Sequence, residues 1–329
     1  MSYEIYTVEK DSFERISKIK QVDNINWADD VENVYITFDF ETSEVLDVGQ
    51  WIELYEKDDN ETVFYALITK RERTKKEIYK YSGFDTGFYL EKNKITIQYR
   101  KSSTISTAIV DACKKIGIEC GQIPIINIPY TNFFKAETVS NILLKLLETA
   151  KEKGSKTNYF FDCKNGKLNL YEYKMNDSLK GYIANIYKLN SFDTINSFNI
   201  TSSMEEMKNK ILVITSVTKN KQTNINQRYL TPDNKNTEKY GMLQEIVEVD
   251  ADKKINYKQV AEDTLKEKNK ITETLTLTVL GDYKMKKGTI TPIKNEKLGI
   301  DNYYSIKNSS HSISGKKETV SIGVEIFDL

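Results

Sequence analysis

Residues 298–329 read LGIDNYYSIKNSSHSISGKKETVSIGVEIFDL, and this stretch shows most clearly how the chain builds its sheets. Its final part alternates apolar and polar side chains, which is the period of a strand with one buried face. The segment DNYYSIKNS before it has strand character too, and Ser314 and Gly315 can form the turn between them. The stretch therefore predicts a closing β-hairpin whose apolar face carries Val320, Ile322, Val324 and Ile326.

The same stretch contains His311, the only histidine among 329 residues. A serine or cysteine nucleophile needs a histidine to take its proton, and no G-x-S-x-G turn occurs in the chain. We therefore interpret His311 as a polar residue near a hairpin turn. On this interpretation His311→Gln leaves assembly intact, whereas Val324→Asp, on the buried face, disrupts it. A catalytic pair of carboxylates stays open, because nothing marks two of the 48 acidic residues.

Cysteine, acidic and basic motifs indicate no metal or cofactor. Cys113, Cys120 and Cys163 form no C-x-x-C pair and, with one histidine, cannot make a zinc site, so we expect free thiols in a reducing compartment. The acidic run EKDDNE at 56–61 lacks the spacing of a calcium loop and is interpreted as a solvated turn. The basic cluster KMKKG at 284–288 lacks the glycines of a phosphate loop and is interpreted as solvated surface.

Composition excludes several other classes of protein. Lys plus Arg and Asp plus Glu both number 48, so the net charge of zero argues against a non-specific nucleic-acid binder. The sequence contains no apolar run long enough to predict a membrane segment. Its N-terminus lacks the apolar core of a signal peptide. The 21 Tyr and 13 Phe residues supply enough apolar surface for packed cores, which argues against disorder.

Residues 1–101 predict a β module. In VENVYITFDFE, beginning at Val31, the apolar side chains recur at every second position, as in a half-buried strand. Further strands follow at short spacing in QWIELYE, TVFYALITKRER and EIYKYSGFD. Several short strands with brief connections favour a barrel or a sandwich.

Residues 102–186 change to a helical period and predict an α+β unit. The first helix places Ile105, Ala108, Ile109, Ala112 and Ile116 on one side. Ser102 or Ser103 is expected to cap its start, and Gly117 to end it in a left-handed conformation. A second helix has a stripe formed by Val139, Ile142, Leu143, Leu146, Leu147 and Ala150. An Asn-Gly pair at 165–166 then predicts a hairpin.

The last third of the chain is again mostly β. Strands are predicted within 187–219, followed by a polar segment at 219–241 that we expect to be a long loop or mobile arm. A helix is predicted at about 256–269 and an alternating strand at 272–280, before the closing segment at 288–329.

This order of modules resembles the hub proteins of contractile phage tails and phage-tail-like bacteriocins, in particular the XkdQ/YqbQ group of defective-phage tail proteins. The resemblance covers nearly the whole chain and is carried by residues 102–118, 137–173 and 286–326. In the closing segment, the family's pattern of glycines, paired aromatic residues and a histidine is matched by Gly288, Gly299, Tyr303, Tyr304 and His311.

The resemblance implies an α+β, mainly β chain with two tail-tube-like barrels. The first barrel is expected at 1–101 and the second at 187–219 plus 288–329. The intervening helix-helix-hairpin domain is expected at 102–186, and a smaller α/β insertion with the mobile arm at 220–287. Such hubs resemble trimers whose six barrels form a ring around a channel, joining a six-fold tail tube to a three-fold spike.

The implied partners are a second and third copy of the chain, the tail tube, the spike and the tape-measure protein, with the baseplate wedge as a further candidate. Assembly in the bacterial cytoplasm into a tail-like particle is implied, with no enzymatic activity and no specific nucleic-acid binding. An infectious phage, a bacteriocin and a secretion device fit the resemblance equally. Two other classes stay open, a tail-associated cell-wall hydrolase and a monomeric carbohydrate- or peptide-binding module.

Overall fold

The structure is a computed structural model. It describes residues 2–75, 77–100, 102–153, 155, 157–173, 195–219, 222–249, 256–295, 300–315 and 317–327. The chain divides into a larger unit, Met1–Asn199 with Thr276–Leu329, and a smaller unit, Ile200–Leu275. The predicted insertion at 220–287 therefore overlaps the smaller unit with different bounds, and the remaining domain bounds stay predictions.

Strands predominate over helices in the described residues, so the fold is mainly β as predicted. The strands are β1 Tyr3–Val8, β2 Arg15–Lys18, β3 Asp23–Asp30, β4 Thr37–Thr42, β5 Trp51–Glu56, β6 Glu61–Lys75, β7 Ile78–Phe84, β8 Lys94–Tyr99, β9 Asn132–Thr138, β10 Asn158–Lys164, β11 Lys167–Tyr173, β12 Ile195–Ser203, β13 Lys210–Lys219, β14 Gln222–Pro232, β15 Gln244–Glu248, β16 Thr272–Leu280, β17 Ile290–Asn295, β18 Ile300–Ser314 and β19 Lys317–Ile326. The helices are α1 Gly87–Lys92, α2 Ile105–Lys114, α3 Val139–Glu152, α4 Asn234–Tyr240 and α5 Tyr257–Lys268.

One 12-stranded sheet holds most of the strands, in the order β12-β16-β19-β18-β3-β4-β7-β6-β5-β1-β2, with β17 also paired to β18. The two predicted barrels are thus not separate. Strand β18, from the closing segment, pairs antiparallel with β3, from Asn308 opposite Asp30 to Ile313 opposite Ile25. No closed barrel is found in the described residues. The exposed edge of β3 explains the merger, because an unpaired edge gains a full set of backbone hydrogen bonds by accepting β18.

The sheet of the larger unit curls, so that distant strands meet through side chains. The hydroxyl of Tyr3 in β1 donates to Oε2 of Glu318 in β19 over 2.9 Å, although six strands separate β1 from β19 in the sheet order. The curl encloses an aromatic-rich core that includes Ile5, Trp27, Phe38, Phe40, Ile52, Leu54, Phe64, Tyr81 and Ile313. Burial of this apolar surface is the main force holding the curl.

A second core lies in the predicted α+β region and is built by α2, α3 and the β10–β11 hairpin. Both helices bury most of the predicted apolar stripes. Ile116 lies beyond the end of α2, and Leu147 of α3 is half-buried. The cap of α2 is Thr104 rather than Ser102 or Ser103, because Thr104 and Thr107 form a reciprocal capping box. The Asn165-Gly166 turn has positive φ at both residues, as a two-residue hairpin turn requires.

The smaller unit is a three-stranded sheet, β14-β13-β15, covered on one face by α5. Two predictions were wrong here. Strand β13 was assigned to the second barrel but pairs with β14 and β15. The polar segment at 219–241, expected to be a loop or mobile arm, contains β14 and α4. A polar sequence suffices for β14, because its backbone pairs with β13 along its whole length while few of its side chains pack under α5.

Gly288 lies two residues before β17, and two observations explain why this position needs glycine. Its φ of +76° is in the left-handed region, and a Cβ there would lie 2.2 Å from the ring of Phe160 in β10. The closing segment and the α+β region therefore meet at a point where no side chain fits between them.

We expect Val324→Asp to destabilise the chain by about 3–5 kcal/mol, because it buries an unpaired charge. Val324 is 3% exposed, whereas Ile326, two residues further along the same strand and predicted to share its buried face, is 51% exposed. Ile326→Asp is therefore the matched control, with an expected loss below about 1 kcal/mol. The free energy of unfolding in urea measures both, and equal losses would contradict the assigned burial of β19.

We expect Gly288→Ala to destabilise more than Gly315→Ala. Both glycines have positive φ, but an added Cβ at Gly315 meets nothing within 4 Å. Gly315→Ala should therefore lose only the backbone preference of about 1–2 kcal/mol. Gly288→Ala must also displace Phe160, so its midpoint of thermal unfolding should be clearly lower. Equal midpoints would show that the close approach to Phe160 is not tightly constrained.

Candidate functional site: a buried polar junction beside a cleft

The residues of the predicted closing hairpin lie on two paired strands. Tyr303, Tyr304 and His311 are in β18, and the four apolar residues of the predicted face are in β19. Strand β18 pairs antiparallel with β19 from Tyr304 opposite Ile326 to Ser314 opposite Lys317. Gly299 lies outside the described residues. His311 is the member of this set around which other polar groups converge.

The sequence predicts His311 to be a polar residue near a hairpin turn, but its environment is a buried one. It is 0% exposed and lies within β18, directly opposite Trp27 of β3, with the two rings stacked 4.3 Å apart. Its Nε2 is 3.1 Å from the carbonyl oxygen of Met285 and 3.1 Å from Oγ of Ser309. Because a carbonyl can only accept, Nε2 is the donor in this arrangement.

A buried carboxylate, Asp29 of β3, accepts hydrogen bonds beside His311. The Ser309 hydroxyl donates to Asp29 Oδ1 over 2.7 Å, and the backbone N–H of Lys287 lies 3.2 Å from both carboxylate oxygens. The Lys287 side chain, in a residue only 3% exposed, donates Nζ to the carbonyls of Asp30 and Asn33. Each charged group of this junction therefore has polar partners that offset its removal from water.

Glu318 of β19 completes the junction on the other side of His311. Its Oε1 is 3.8 Å from Nδ1 of His311, and its Oε2 accepts the hydroxyl of Tyr3. Burial is the main cause that raises the pKa of Tyr3, with the Glu318 charge second, so this hydroxyl keeps its proton and remains a donor. The junction thus joins β1, β3, β18, β19 and the segment 285–287.

Sequence reasoning missed Asp29, Lys287 and Glu318, although the alternation of apolar residues in their strands marks Asp29 and Glu318 as inward-facing. Asp29 is in phase with Ile25 and Trp27, and Glu318 is in phase with the apolar face of β19. A charged residue that occupies an inward position of an alternating strand indicates a buried polar contact. Lys287 had no comparable signal, because a KMKKG cluster is equally typical of a solvated surface.

A cleft of about 460 Å³ opens beside the junction. Trp27 and Asp29 contribute to its lining, together with residues 61–65 of β6 and residues 162–165 around the β10–β11 turn. Tyr283, Lys284 and Lys286 complete it. One edge is tied by Asp59, which bonds Lys284 over 2.5 Å and Tyr283 over 3.0 Å, so the acidic turn at 56–61 is anchored rather than simply solvated. Carboxylates and lysines both line the cleft, so it has no single charge preference.

The arrangement can hold strands together, but it does not have the form of a catalytic site. The only histidine has its ring fully buried and Nε2 engaged, so it has no open path to a substrate proton. Within the described ranges, no group of three or more His, Cys, Asp and Glu side chains could hold a metal ion. All three cysteines are free thiols, and Cys113 lies on the buried face of α2.

A second buried carboxyl, Asp85, lies just before α1 and is 1% exposed. Its Oδ1 accepts the backbone N–H of Gly87 over 2.9 Å, while its Oδ2 has no hydrogen-bond partner among the described residues. Burial raises the pKa of Asp85 to about 8, against a smaller lowering by the charge of Lys287. The folded protein therefore holds Asp85 as a neutral acid at neutral pH.

We expect Asp85 to make stability fall as pH rises. Between the ordinary pKa of 3.8 and the folded value of about 8, the folded state binds a proton that the unfolded state lacks. The stabilisation is complete below the lower value and is lost as pH rises toward the upper one. In wild type, the free energy of unfolding in urea should fall by a few kcal/mol between pH 4 and pH 9 because of Asp85. In Asp85→Asn this fall should be absent. An unchanged dependence in the variant would refute the assignment.

Comparison with solved structures finds the same fold in phage tail proteins. The 43 kDa tail protein of prophage MuSo2 from Shewanella oneidensis aligns with a TM-score of 0.68 at 15% identity, covering 98% of this chain and 97% of that one. A tail protein from Neisseria meningitidis MC58 aligns with a TM-score of 0.68 at 15% identity, covering 99% and 97%. An E. coli component of the type VI secretion system, described as structurally similar to the T4 tail proteins gp27 and gp5, aligns with a TM-score of 0.57 at 10% identity, covering 93% and 74%.

No curated protein matches the chain. The helices of the described residues are all too short or too polar to cross a membrane. The family model described as YQBQ-like matches residues 25–325, which is nearly the whole sequence. The chain belongs to the YQBQ-like family.

Proposed function

We propose that the chain is a structural hub subunit of a contractile phage tail or a related particle. The observation that carries the proposal is the coverage of the structural match. The Shewanella tail protein is matched over 97% of its length by 98% of this chain, so the likeness extends over the whole architecture of both proteins. At 15% identity the match establishes the fold, and the role in the particle is our inference from it.

The likeness to a type VI secretion component supports a position between tube and spike. That E. coli protein is described as similar to two T4 tail proteins, so the same fold occurs in both kinds of machine. The proposed partners are therefore a tail tube protein, a spike protein and the tape-measure protein, with the baseplate wedge as a further contact. Assembly is proposed to occur in the bacterial cytoplasm, and the product to be part of the tail.

The proposed assembly is a homotrimer with a pseudo-six-fold ring. Seven strands of the large sheet come from residues 1–101 and five from later in the chain, and we propose that these two groups act as the two tube-like modules. Three chains would then present six similar modules to a six-fold tube while keeping three-fold symmetry for a spike. Residues 102–186 and 210–268 would lie outside this ring, and its centre would form the channel. Strand β16 belongs to the large sheet and is therefore assigned to the second module.

We further propose that the chain has a structural role and no enzymatic one. The support is chemical, because the one histidine is enclosed by Trp27, Met285, Ser309 and Glu318 rather than placed in the open cleft. A tail-associated cell-wall hydrolase would need an accessible acid–base group in its place or a marked carboxylate pair.

We expect co-expression with the cognate spike and tube proteins to yield a complex containing three copies of this chain. Closed three-fold symmetry fixes this ratio, because each copy repeats one interface around the axis. Light scattering coupled to size exclusion gives the mass, and electron microscopy gives the symmetry. A chain that stays monomeric with both partners present would contradict the hub proposal, as would release of cell-wall fragments by the purified protein.

A further inference from the structure

Two buried acceptor atoms face each other at the centre of the polar junction. Nδ1 of His311 and Oε1 of Glu318 are 3.8 Å apart, and neither has a hydrogen-bond partner within the described part of the chain. A neutral imidazole that donates from Nε2 exposes a lone pair at Nδ1, so two lone pairs would point at one another. Each buried atom left in this way costs about 1–3 kcal/mol.

The groups around the imidazole ring are nearly all acceptors. From β3 come the π face of Trp27 and the carboxylate of Asp29, which already takes the proton of the Ser309 hydroxyl. From the segment 285–287 comes the Met285 carbonyl, with the Lys287 ammonium directed to Asp30 and Asn33.

The remaining charged groups near the ring belong to β19 and β1. Strand β19 contributes the Glu318 carboxylate, and β1 contributes Tyr3, whose hydroxyl donates to Glu318. The charges of Glu56 and Asp282 also act on Tyr3, and both are negative. The groups nearest the ring on these sides are therefore acceptors or negative charges, and Nδ1 faces one of them, Glu318 Oε1.

The ring stacking independently favours a protonated ring. The planes of His311 and Trp27 differ by only 9° at a centroid distance of 4.3 Å. An imidazolium over an indole face gains a cation–π attraction that a neutral imidazole lacks. A proton on Nδ1 would also supply the missing donor toward Glu318 Oε1.

We propose that His311 carries a proton on both ring nitrogens in the folded protein and acts as a proton-held clamp. The clamp joins the β18–β19 hairpin to β1 through Glu318 and Tyr3, to β3 through Trp27 and Asp29, and to the segment 285–287 through Met285. Without the Nδ1 proton two acceptor atoms would face one another, and the attachment of the hairpin to β1 would be weaker. The inference does not depend on the proposed role in a tail.

Because the chain has one histidine, ¹⁵N-histidine labelling gives one imidazole spectrum. We expect both ring nitrogens of the folded wild-type protein to be protonated at neutral pH. In Glu318→Gln the side-chain amide can donate to Nδ1, so that nitrogen should lose its proton. Glu325→Gln, at an exposed position of the same strand, is the matched control and should keep the wild-type spectrum.

A wild-type spectrum with one unprotonated nitrogen would overturn the proposal, including the case in which Glu318 holds the proton instead. A Glu318→Gln spectrum unchanged from wild type would also overturn it, because the carboxylate would then have no part in holding the proton. The wild-type measurement decides the protonation state even where a variant fails to fold.

Amide hydrogen exchange tests the clamp itself. His311→Gln should raise exchange in β1 and in the segment 285–287 by about tenfold, the effect of losing roughly one buried hydrogen bond. Exchange in helix α5, which lies in the smaller unit, is the internal reference. Equal exchange of β1 in wild type and variant would show that the proton does not hold the strands together.

Discussion

The large sheet must close on itself without a continuous ladder of backbone hydrogen bonds. Its strand order runs from β12 to β2, and the described residues contain no pairing between the two ends. A curled sheet with open ends would expose the edge of its aromatic core, so side chains have to bridge the gap. The Tyr3–Glu318 hydrogen bond does this across six intervening strands, and it draws His311, Trp27 and Asp29 into one buried polar cluster. Much of the remaining architecture follows from this closure.

Closure by polar side chains differs in kind from closure by a ladder. A backbone ladder adds similar hydrogen bonds at every residue, whereas a side-chain bridge concentrates the attachment in a few groups with defined protonation states. Burying those groups is unfavourable unless each is paired, and Asp29 and Lys287 are well supplied with partners. The bridge therefore adds specificity of geometry more than net stability, and the aromatic core inside the curl remains the main source of stability.

Local patterns predicted much of the fold and little of the site. The two helices of the α+β region, the Asn165-Gly166 turn and the β18–β19 strands all follow from short-range periodicity and turn chemistry. The pairing of β18 with β3 does not, because it joins segments about 280 residues apart and alternation alone does not choose a partner strand. His311 was misplaced for the same reason. Its neighbours in sequence are serines, while the groups that bury it come from β1, β3 and β19.

Strand β18 also sets an order of events during synthesis. Strand β3, Asp23–Asp30, is synthesised about 280 residues before its partner residues 308–313. At about 5–20 residues per second, roughly 15 to 60 seconds separate the two on the ribosome. During that interval one edge of β3 is without its final partner, and an unpaired edge can pair with another nascent chain. Strand β3 gains this partner only after residue 313 has been made, so a chain that terminates earlier would leave this edge of β3 open to pairing with another chain.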